Sequence, residues 1–261
     1  MKKSIAWGLI LITSSFFQCT TAQKTTFGNA AEAAAGAILN GGTAAAVSDL
    51  DIGNGLKEAL NAGVTNGVNE LIKTDGYFGD AILKILLPAE AAKVQDIIIK
   101  HIPGGKGLVD NAILKMNRAA EDAANEAKPI FVDAITGMSF ADARGILFGT
   151  DNAATDYLRT KTLTSLTSAY SPKINAAMTK TGASQAWQAM VNPYNKIAGT
   201  LAGRAIGANT PINADLGAYV TQRALEGLFL KVTDKEKGIR KNINERVSPL
   251  LQKVFGQLDK K

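Results

Sequence analysis

Residues that bind metal ions or form cross-links are almost absent from this sequence. Its 261 residues include one Cys, Cys19, and one His, His101. A structural zinc site of the His/Cys kind needs four such ligands and a disulfide framework needs several Cys pairs, so both are excluded. A Cys–His nucleophile with supporting partners is excluded as well. We predict no metal site and no cofactor, and we expect packing to stabilise the fold.

Aromatic residues are also scarce, at 6% of the chain, and no segment between turn signals sustains the two-residue alternation of a strand. Ala, by contrast, occurs 41 times. Because Ala is the strongest helix former, the local preference is helical almost everywhere. The hydrophobic share of 46% and the charged share of 20% are those of a globular protein with a core. We predict an all-α fold, a compact bundle of about eight helices.

The first residues have the pattern of an export signal. Two lysines precede a mostly apolar run over 5–17, and small residues follow it up to Ala22. This is typical of a secretory signal peptide cleaved after Ala22, and the run is shorter than the roughly 20 residues of a membrane-spanning helix. No later uncharged segment reaches 20 residues either, so we expect no transmembrane span. A lipid anchor at Cys19 is the alternative, although Gln18 stands where a small residue is usual.

Three parts follow from this pattern. Residues 1–22 are the predicted signal peptide. Residues 23–47 are simple in composition and contain Gly41–Gly42, so we interpret them as a flexible spacer or a frayed terminus. Residues 48–261 are expected to form a single helical domain.

Two capping signals mark helix starts. Ser48 with Asp51 and Ser139 with Asp142 have the spacing of a capping box. The first pair precedes apolar residues that recur every three or four positions, which predicts a helix over 49–73. The second pair predicts a short helix that ends before the Gly at position 149.

The middle of the chain is less regular. Small apolar residues recur at helical spacing from Val109 to Ala127, and Pro129 should end or kink that helix. We expect Asp151 to cap a longer helix that Ser171–Pro172 interrupts. Seven of the twelve residues over 160–171 are Ser or Thr, so a strand is the alternative there.

The last part of the chain is basic. Residues 191–213 are rich in Gly, Pro and Asn and suggest a loop or boundary, after which Asp215 should start a helix. Ser248–Pro249 then opens a last helix with a compact apolar stripe. Residues 231–261 hold nine basic and four acidic side chains. We favour docking of this stripe on the domain over peripheral membrane contact by 245–261.

Several of these segments resemble a known family. They are MNRAAEDAANEAKPIFVDAITGMSFADARGIL followed by GTDNAATDYLR (116–159), DLGAYVTQRALEGLF and a tail ending in IRKN (215–242), and the shorter GLKEAL, DGYFGD and ILLP. They resemble the bacterial envelope family catalogued as domain of unknown function 4197. The resemblance covers about 48–258 and implies an exported, helical, non-membrane-spanning protein of Gram-negative bacteria with no established activity. Residues 173–213 depart from it, and we make no structural prediction from the family for them.

Polar side chains lie among the apolar positions of the familiar block. They are Asn117, Arg118, Glu121, Asp133, Asp151, Thr155, Tyr157 and Arg159. The favoured interpretation is a polar network between helices. The second is a pocket in which Arg118 and Arg159 hold an anionic group, because guanidinium suits carboxylate and phosphate. The third is a carboxylate-dependent hydrolase acting on envelope glycan, with Glu121 and either Asp133 or Asp151.

We therefore predict a periplasmic binding or scaffolding protein rather than an enzyme. Its partner would be an envelope protein or a small anionic or apolar ligand. Nucleic acid is not expected, because an exported chain without interleaved aromatic residues is unsuited to it. The alternative is a carrier of a lipid or another apolar molecule, which would need a cavity near Phe131, Ile135 and Trp187.

Overall fold

The computed structural model describes residues 47–212 and 216–260, and every regular element within these ranges is helical. The predicted all-α class is confirmed. The helices are α1 (Asp49–Leu71), α2 (Ala89–Ala92), α3 (Gln95–His101), α4 (Gly105–Ala123), α5 (Ala127–Thr136), α6 (Phe140–Leu147), α7 (Ala153–Thr181), α8 (Ala183–Ile197), α9 (Leu201–Ala205), α10 (Leu216–Lys241) and α11 (Pro249–Phe255). Short 3-10 turns occupy Ala124–Glu126, Ile243–Glu245 and Leu258–Lys260. The predicted signal peptide, Cys19, the spacer up to residue 46 and the helix start at Asp215 lie outside the described residues.

Both predicted capping boxes are present. The Ser48 hydroxyl accepts the Asp51 N–H at 3.1 Å, and the Asp51 carboxylate accepts the Ser48 N–H at 3.0 Å. Ser139 and Asp142 form the same pair of bonds at the start of α6. Because each box satisfies N–H groups that a helix start leaves unpaired, α1 and α6 begin where the sequence predicts.

Helix α7 runs unbroken through Ser171–Pro172, so the predicted interruption is wrong. The hydroxyls of Thr160, Thr162 and Thr167 bond back to the carbonyls four residues earlier, which satisfies them within a helix. The same helix buries a line of apolar residues, among them Leu166, Tyr170, Ile174 and Met178. This burial outweighs the hydrogen bond lost at Pro172, and the strand alternative is wrong as well.

The prediction of a loop over 191–213 is also wrong for much of that range. Helix α8 continues through Pro193 to Ile197, and α9 follows. Trp187 and Tyr194 are buried on α8, which packs against α4. Tertiary packing here overrides the weak local preference of a segment rich in Gly, Pro and Asn.

Helices α1, α4, α7 and α10 build the centre of the bundle. α7 packs against α4, α5 and α10, and α1 packs against α5, α6, α10 and α11. The apolar stripe of α11 docks on α1, where Val254 lies against Gly55 at a distance that leaves no room for a side chain. The last helix therefore docks on the domain, as the favoured interpretation predicts. No helix of the described residues combines the length and the hydropathy needed to cross a membrane.

Candidate functional site

Asn117 on α4 holds the loop that connects α1 to α2. Its amide nitrogen donates to the carbonyls of Ile85 and Ile113, both at 2.8 Å, and its amide oxygen accepts the Ile85 N–H at 2.8 Å. The side chain is fully buried. Asn117 thus serves Ile85 as a strand neighbour would, by pairing with both of its backbone groups.

Glu121 and Arg118 continue this loop network one turn along α4. Glu121 accepts the N–H groups of Tyr77 and Phe78 at 3.1 and 3.2 Å through one oxygen, and Arg118 at 2.6 Å through the other. Arg118 also donates to Asp75 at 2.7 Å. These hydrogen bonds to Glu121 and Asp75 raise the pKa of Arg118 above its ordinary value. The guanidinium is therefore committed to two carboxylates of its own chain.

Tyr77 joins the loop network to α10. Its hydroxyl donates to the carbonyl of Ala224 at 2.8 Å, and its ring covers Gly227. Burial, with a smaller contribution from Glu121, raises the pKa of Tyr77, so the phenol stays a neutral donor. The loop network thus fixes how α4 and α10 meet.

A second network, the helix-end network, lies where α6 ends and α7 begins. The Glu236 carboxylate on α10 accepts the N–H groups of Ala154 and Thr155 at 2.9 and 2.8 Å and the Thr155 hydroxyl at 2.7 Å. Arg240, one turn later, donates to Glu236 at 2.9 Å and to the carbonyls of the last two residues of α6 at 2.8 and 3.0 Å. A carboxylate at a helix N-terminus and a guanidinium at a helix C-terminus both complement the helix dipole.

Asp151 does not cap α7 as predicted. The residue at the cap position is Asn152, whose side chain makes no capping hydrogen bond, and Glu236 supplies the acceptor instead. Asp151 is exposed and forms an ion pair with Lys241. The hydrogen bond from Lys241 lowers the pKa of Asp151.

Asp133 and Tyr157 line a surface cleft of about 390 Å³ between α5 and α7, together with Lys161 and Ser165. The Lys161 ammonium lies 5.7 Å from the centre of the Tyr157 ring. Burial, with a smaller contribution from Asp142, raises the pKa of Tyr157.

Arg159 lies in a separate groove of about 420 Å³ between α7 and α10, called the α7/α10 groove below. Its guanidinium stacks over Phe229, 4.3 Å from the ring centre. Among the residues that the structure describes, no carboxylate forms an ion pair with it. The groove is lined by Arg159, Leu163, Thr167, Ser171, Ala218, Thr221, Gln222, Leu225 and Glu226.

A family model covers most of this chain. Residues 46–256 match the family described as "Protein of unknown function (DUF4197)". The chain belongs to this family. No curated protein and no solved structure matches the chain significantly. The matched DUF4197 range includes both networks, the cleft and the α7/α10 groove.

The eight candidates of the sequence analysis thus occupy four places in the DUF4197 fold. Asn117, Arg118 and Glu121 meet in the loop network. Thr155 belongs to the helix-end network, with Asp151 in an ion pair nearby. The cleft holds Asp133 and Tyr157, and the α7/α10 groove holds Arg159. Arg118 pairs with Glu121 and Asp75 in the loop network, whereas Arg159 lies over Phe229 in the groove.

Glu236 and Arg240 are not among the predicted site residues, although this DUF4197 chain carries a sequence signal for both. They follow Phe229 and Val232 at intervals of three or four residues and therefore continue the buried stripe of α10. Charged residues in such a stripe indicate buried ion pairs rather than a solvated rim. Asp75 and Thr221 carried no comparable signal.

Proposed function

We propose that this chain is an exported binding protein of the bacterial envelope that takes up a small anionic molecule in the α7/α10 groove. One observation carries the proposal: Arg159 lines an open groove and is paired with no carboxylate of the described residues. A guanidinium is the side chain best suited to bind carboxylate or phosphate. Its stacking on Phe229 orients it while leaving its N–H donors free for a ligand.

Arg118 differs from Arg159 in that its donors are already paired. It has the same side chain, yet Glu121 and Asp75 already occupy its donors. An anion at Arg118 would have to displace two carboxylates, so the anion-binding interpretation rests on Arg159 alone.

Binding is favoured over catalysis by the positions of the acidic candidates. Both oxygens of Glu121 accept hydrogen bonds within the loop network, and Asp151 pairs with Lys241 at another end of the fold. Asp133 lies in the surface cleft. None of the contacts described above brings two of these carboxylates together, so a glycan hydrolase gains no support.

A carrier that holds an apolar molecule in an interior cavity gains no support either. Phe131 and Ile135 are fully buried in the packed core, and Phe131 meets Phe229 edge to face with the ring centres 5.8 Å apart. Trp187 lines an open cleft of about 390 Å³ whose walls are partly polar, rather than an apolar interior cavity. A void beside Leu56 and Val232 has about 20 Å³, which is room for a single water molecule.

The location is tested by fractionating the native bacterium and measuring the intact mass of the chain. We expect it in the periplasmic fraction, starting at Gln23. A mass increased by acyl chains at Cys19, with the protein in the membrane fraction, would contradict free export.

Binding is tested by native mass spectrometry of the protein taken from its own envelope. We expect a retained small molecule that is lost in Arg159→Gln and kept in Lys161→Gln. The control removes the same charge from the same helix, but Lys161 lines the cleft rather than the groove. An adduct that survives Arg159→Gln, or no adduct on the unmodified protein, would overturn the proposal.

A further inference from the structure

The two walls of the α7/α10 groove run antiparallel. Thr155, near the start of α7, bonds to Glu236, and Arg159 lies over Phe229, so the number on α10 falls as the number on α7 rises. Arg159, Leu163, Thr167 and Ser171 follow one another along α7 at intervals of four residues. The groove is therefore linear, and its lining residues can be placed along its length.

Polar and apolar groups are separated along this length. Arg159 lies at one end, beside Phe229. Leu163 and Leu225 line the next stretch, and Thr167 and Thr221 follow. Thr167 lies eight residues beyond Arg159, and Thr221 lies eight residues before Phe229, which places both about 12 Å from the arginine along the helices.

Glu226, the one carboxylate among the described lining residues, is already compensated. Glu226 accepts a hydrogen bond from Gln222 at 3.0 Å and forms an ion pair with Arg223. The positive charge of Arg159 has no such partner within 47–212 and 216–260, so the groove is suited to an anion.

Thr221 has an unsatisfied hydroxyl. The residue is 3% exposed and lines the groove, and its Oγ1 has no hydrogen-bond partner among the described residues. A helical Thr usually bonds back to the preceding turn, as Thr162 and Thr167 do on the facing helix. A buried hydroxyl without a partner is destabilising, so its presence in a groove points to a partner supplied by a ligand.

We infer, resting on the function proposed above, that the ligand is a free linear amphiphile with an anionic group at Arg159, an apolar segment over Leu163 and Leu225, and a hydrogen-bonding group beside Thr221. The volume of about 420 Å³ is in the range of small-molecule sites. It suits a single molecule from solution rather than a membrane surface.

The inference is tested by isothermal titration calorimetry of the mature chain with four probes. The first is 10-hydroxydecanoate, which has all three features. Decanoate lacks the distal hydroxyl, 1,10-decanediol lacks the charge, and inorganic phosphate lacks the chain. All amphiphiles are used below their critical micelle concentrations.

We expect 10-hydroxydecanoate to bind about tenfold more tightly than decanoate and than the diol, because each of these two probes lacks one hydrogen-bonding group. Phosphate should bind most weakly.

Two variants assign the contacts. Arg159→Gln should weaken both carboxylates by about tenfold or more and leave the diol unchanged, whereas Lys161→Gln should change nothing. Thr221→Val should abolish the advantage of 10-hydroxydecanoate over decanoate. It should also raise the melting temperature of the free protein, because it removes an unsatisfied buried hydroxyl. That rise shows that the variant is folded.

The outcomes separate this inference from the function on which it rests. Phosphate that binds as tightly as the amphiphiles and depends on Arg159 would keep the anion site and overturn the amphiphile. A hydroxyl advantage that is absent, or that persists in Thr221→Val, would overturn the placement beside Thr221. A diol as tight as the carboxylates, or no binding of any probe, would overturn both proposals. Sedimentation with phosphatidylglycerol vesicles that depends on Arg159 would identify a membrane lipid as the ligand and contradict a free one.

Discussion

Three of the four buried charged side chains in the described part of the chain bind the ends of helices. Arg246 is almost completely buried, donates to the carbonyls of Ile239 and Arg240 at the end of α10, and pairs with Asp259. Glu236 binds the start of α7 in the same manner. Each charge is matched both by a helix terminus and by an opposite charge, which is the condition under which an ion can be buried at low cost.

Glu236→Gln is expected to be strongly destabilising. The amide keeps the shape of the side chain but leaves Arg240 without its counter-charge and turns an N–H donor toward the donors of α7. We expect the free energy of unfolding to fall by about 3 kcal/mol, measured by urea denaturation.

The exposed ion pair nearby supplies the control for Glu236. Asp151→Asn removes a carboxylate from Lys241 at the surface and should leave the free energy of unfolding almost unchanged, because solvent screens an exposed ion pair. In Glu236→Gln with Arg240→Met, the second substitution should restore part of the loss, because no uncompensated charge remains buried. Equal losses at Glu236 and Asp151 would contradict the structural role of Glu236.

Residue chemistry also explains why the sequence could not distinguish the two arginines. Arg118 and Arg159 both lie among apolar positions of the same block, and the carboxylate that completes the pairing of Arg118 is Asp75, 43 residues away. The unpaired state of Arg159 likewise depends on what α10 places beside it. Which arginine stays free is therefore decided by tertiary contacts that local spacing does not encode.

At the scale of the helices, Gly227 allows α10 to pack closely against Tyr77. A Cβ at Gly227 would lie 2.8 Å from the ring of Tyr77, whereas a Cβ at Gly145 on α6 would meet no atom within 4 Å. Tyr77 is tied by its hydroxyl and its backbone N–H, so it cannot easily move away.

We therefore expect opposite effects of the same substitution at these two glycines. Gly227→Ala should lower the free energy of unfolding by about 2 kcal/mol, because it forces Tyr77 and α10 apart. Gly145→Ala should raise it by about 0.5–1 kcal/mol, because Ala is the better helix former. Thermal and urea denaturation of the two variants measure both changes. A stabilised Gly227→Ala would mean that the packing of Tyr77 is looser than described.

The start of a helix could be predicted from the sequence where its capping residues are close neighbours in the chain. Ser48 with Asp51 and Ser139 with Asp142 each lie within one turn, so their capping boxes are visible in the sequence. The start of α7 was assigned to the wrong carboxylate, because the acceptor that binds it lies 81 residues later in the chain. The continuity of α7 through Pro172 was missed for a related reason, since the burial that sustains it comes from packing against α4, α5 and α10.

At the scale of the molecule, the two ends of the described chain are joined by an ion pair. Lys253 on α11 donates to Asp51 at the start of α1, at 2.9 Å. This hydrogen bond, together with those from Ser48, lowers the pKa of Asp51 from 3.8 to about 2. A carboxyl group whose pKa is lower in the folded state stabilises the fold above its ordinary pKa and loses that contribution as the pH falls.

Acidification should therefore weaken the docking of α11. We expect the contribution of Asp51 to the free energy of unfolding to be complete above about pH 4 and to disappear as the pH falls toward 2. Lys253→Gln removes the largest cause of the shift and leaves the capping box in place. The pKa of Asp51, measured by carboxyl NMR, should rise in this variant. A pKa unchanged by Lys253→Gln would show that the capping box alone sets it.

The helix-end network also has a consequence for the order in which the fold is completed. The start of α7 and the end of α6 obtain their partners from residues 81 to 94 positions later in the chain. A nascent polypeptide keeps these groups in water until residue 240 has been made. Contacts so distant in sequence make the completion of this part of the fold a late and cooperative step.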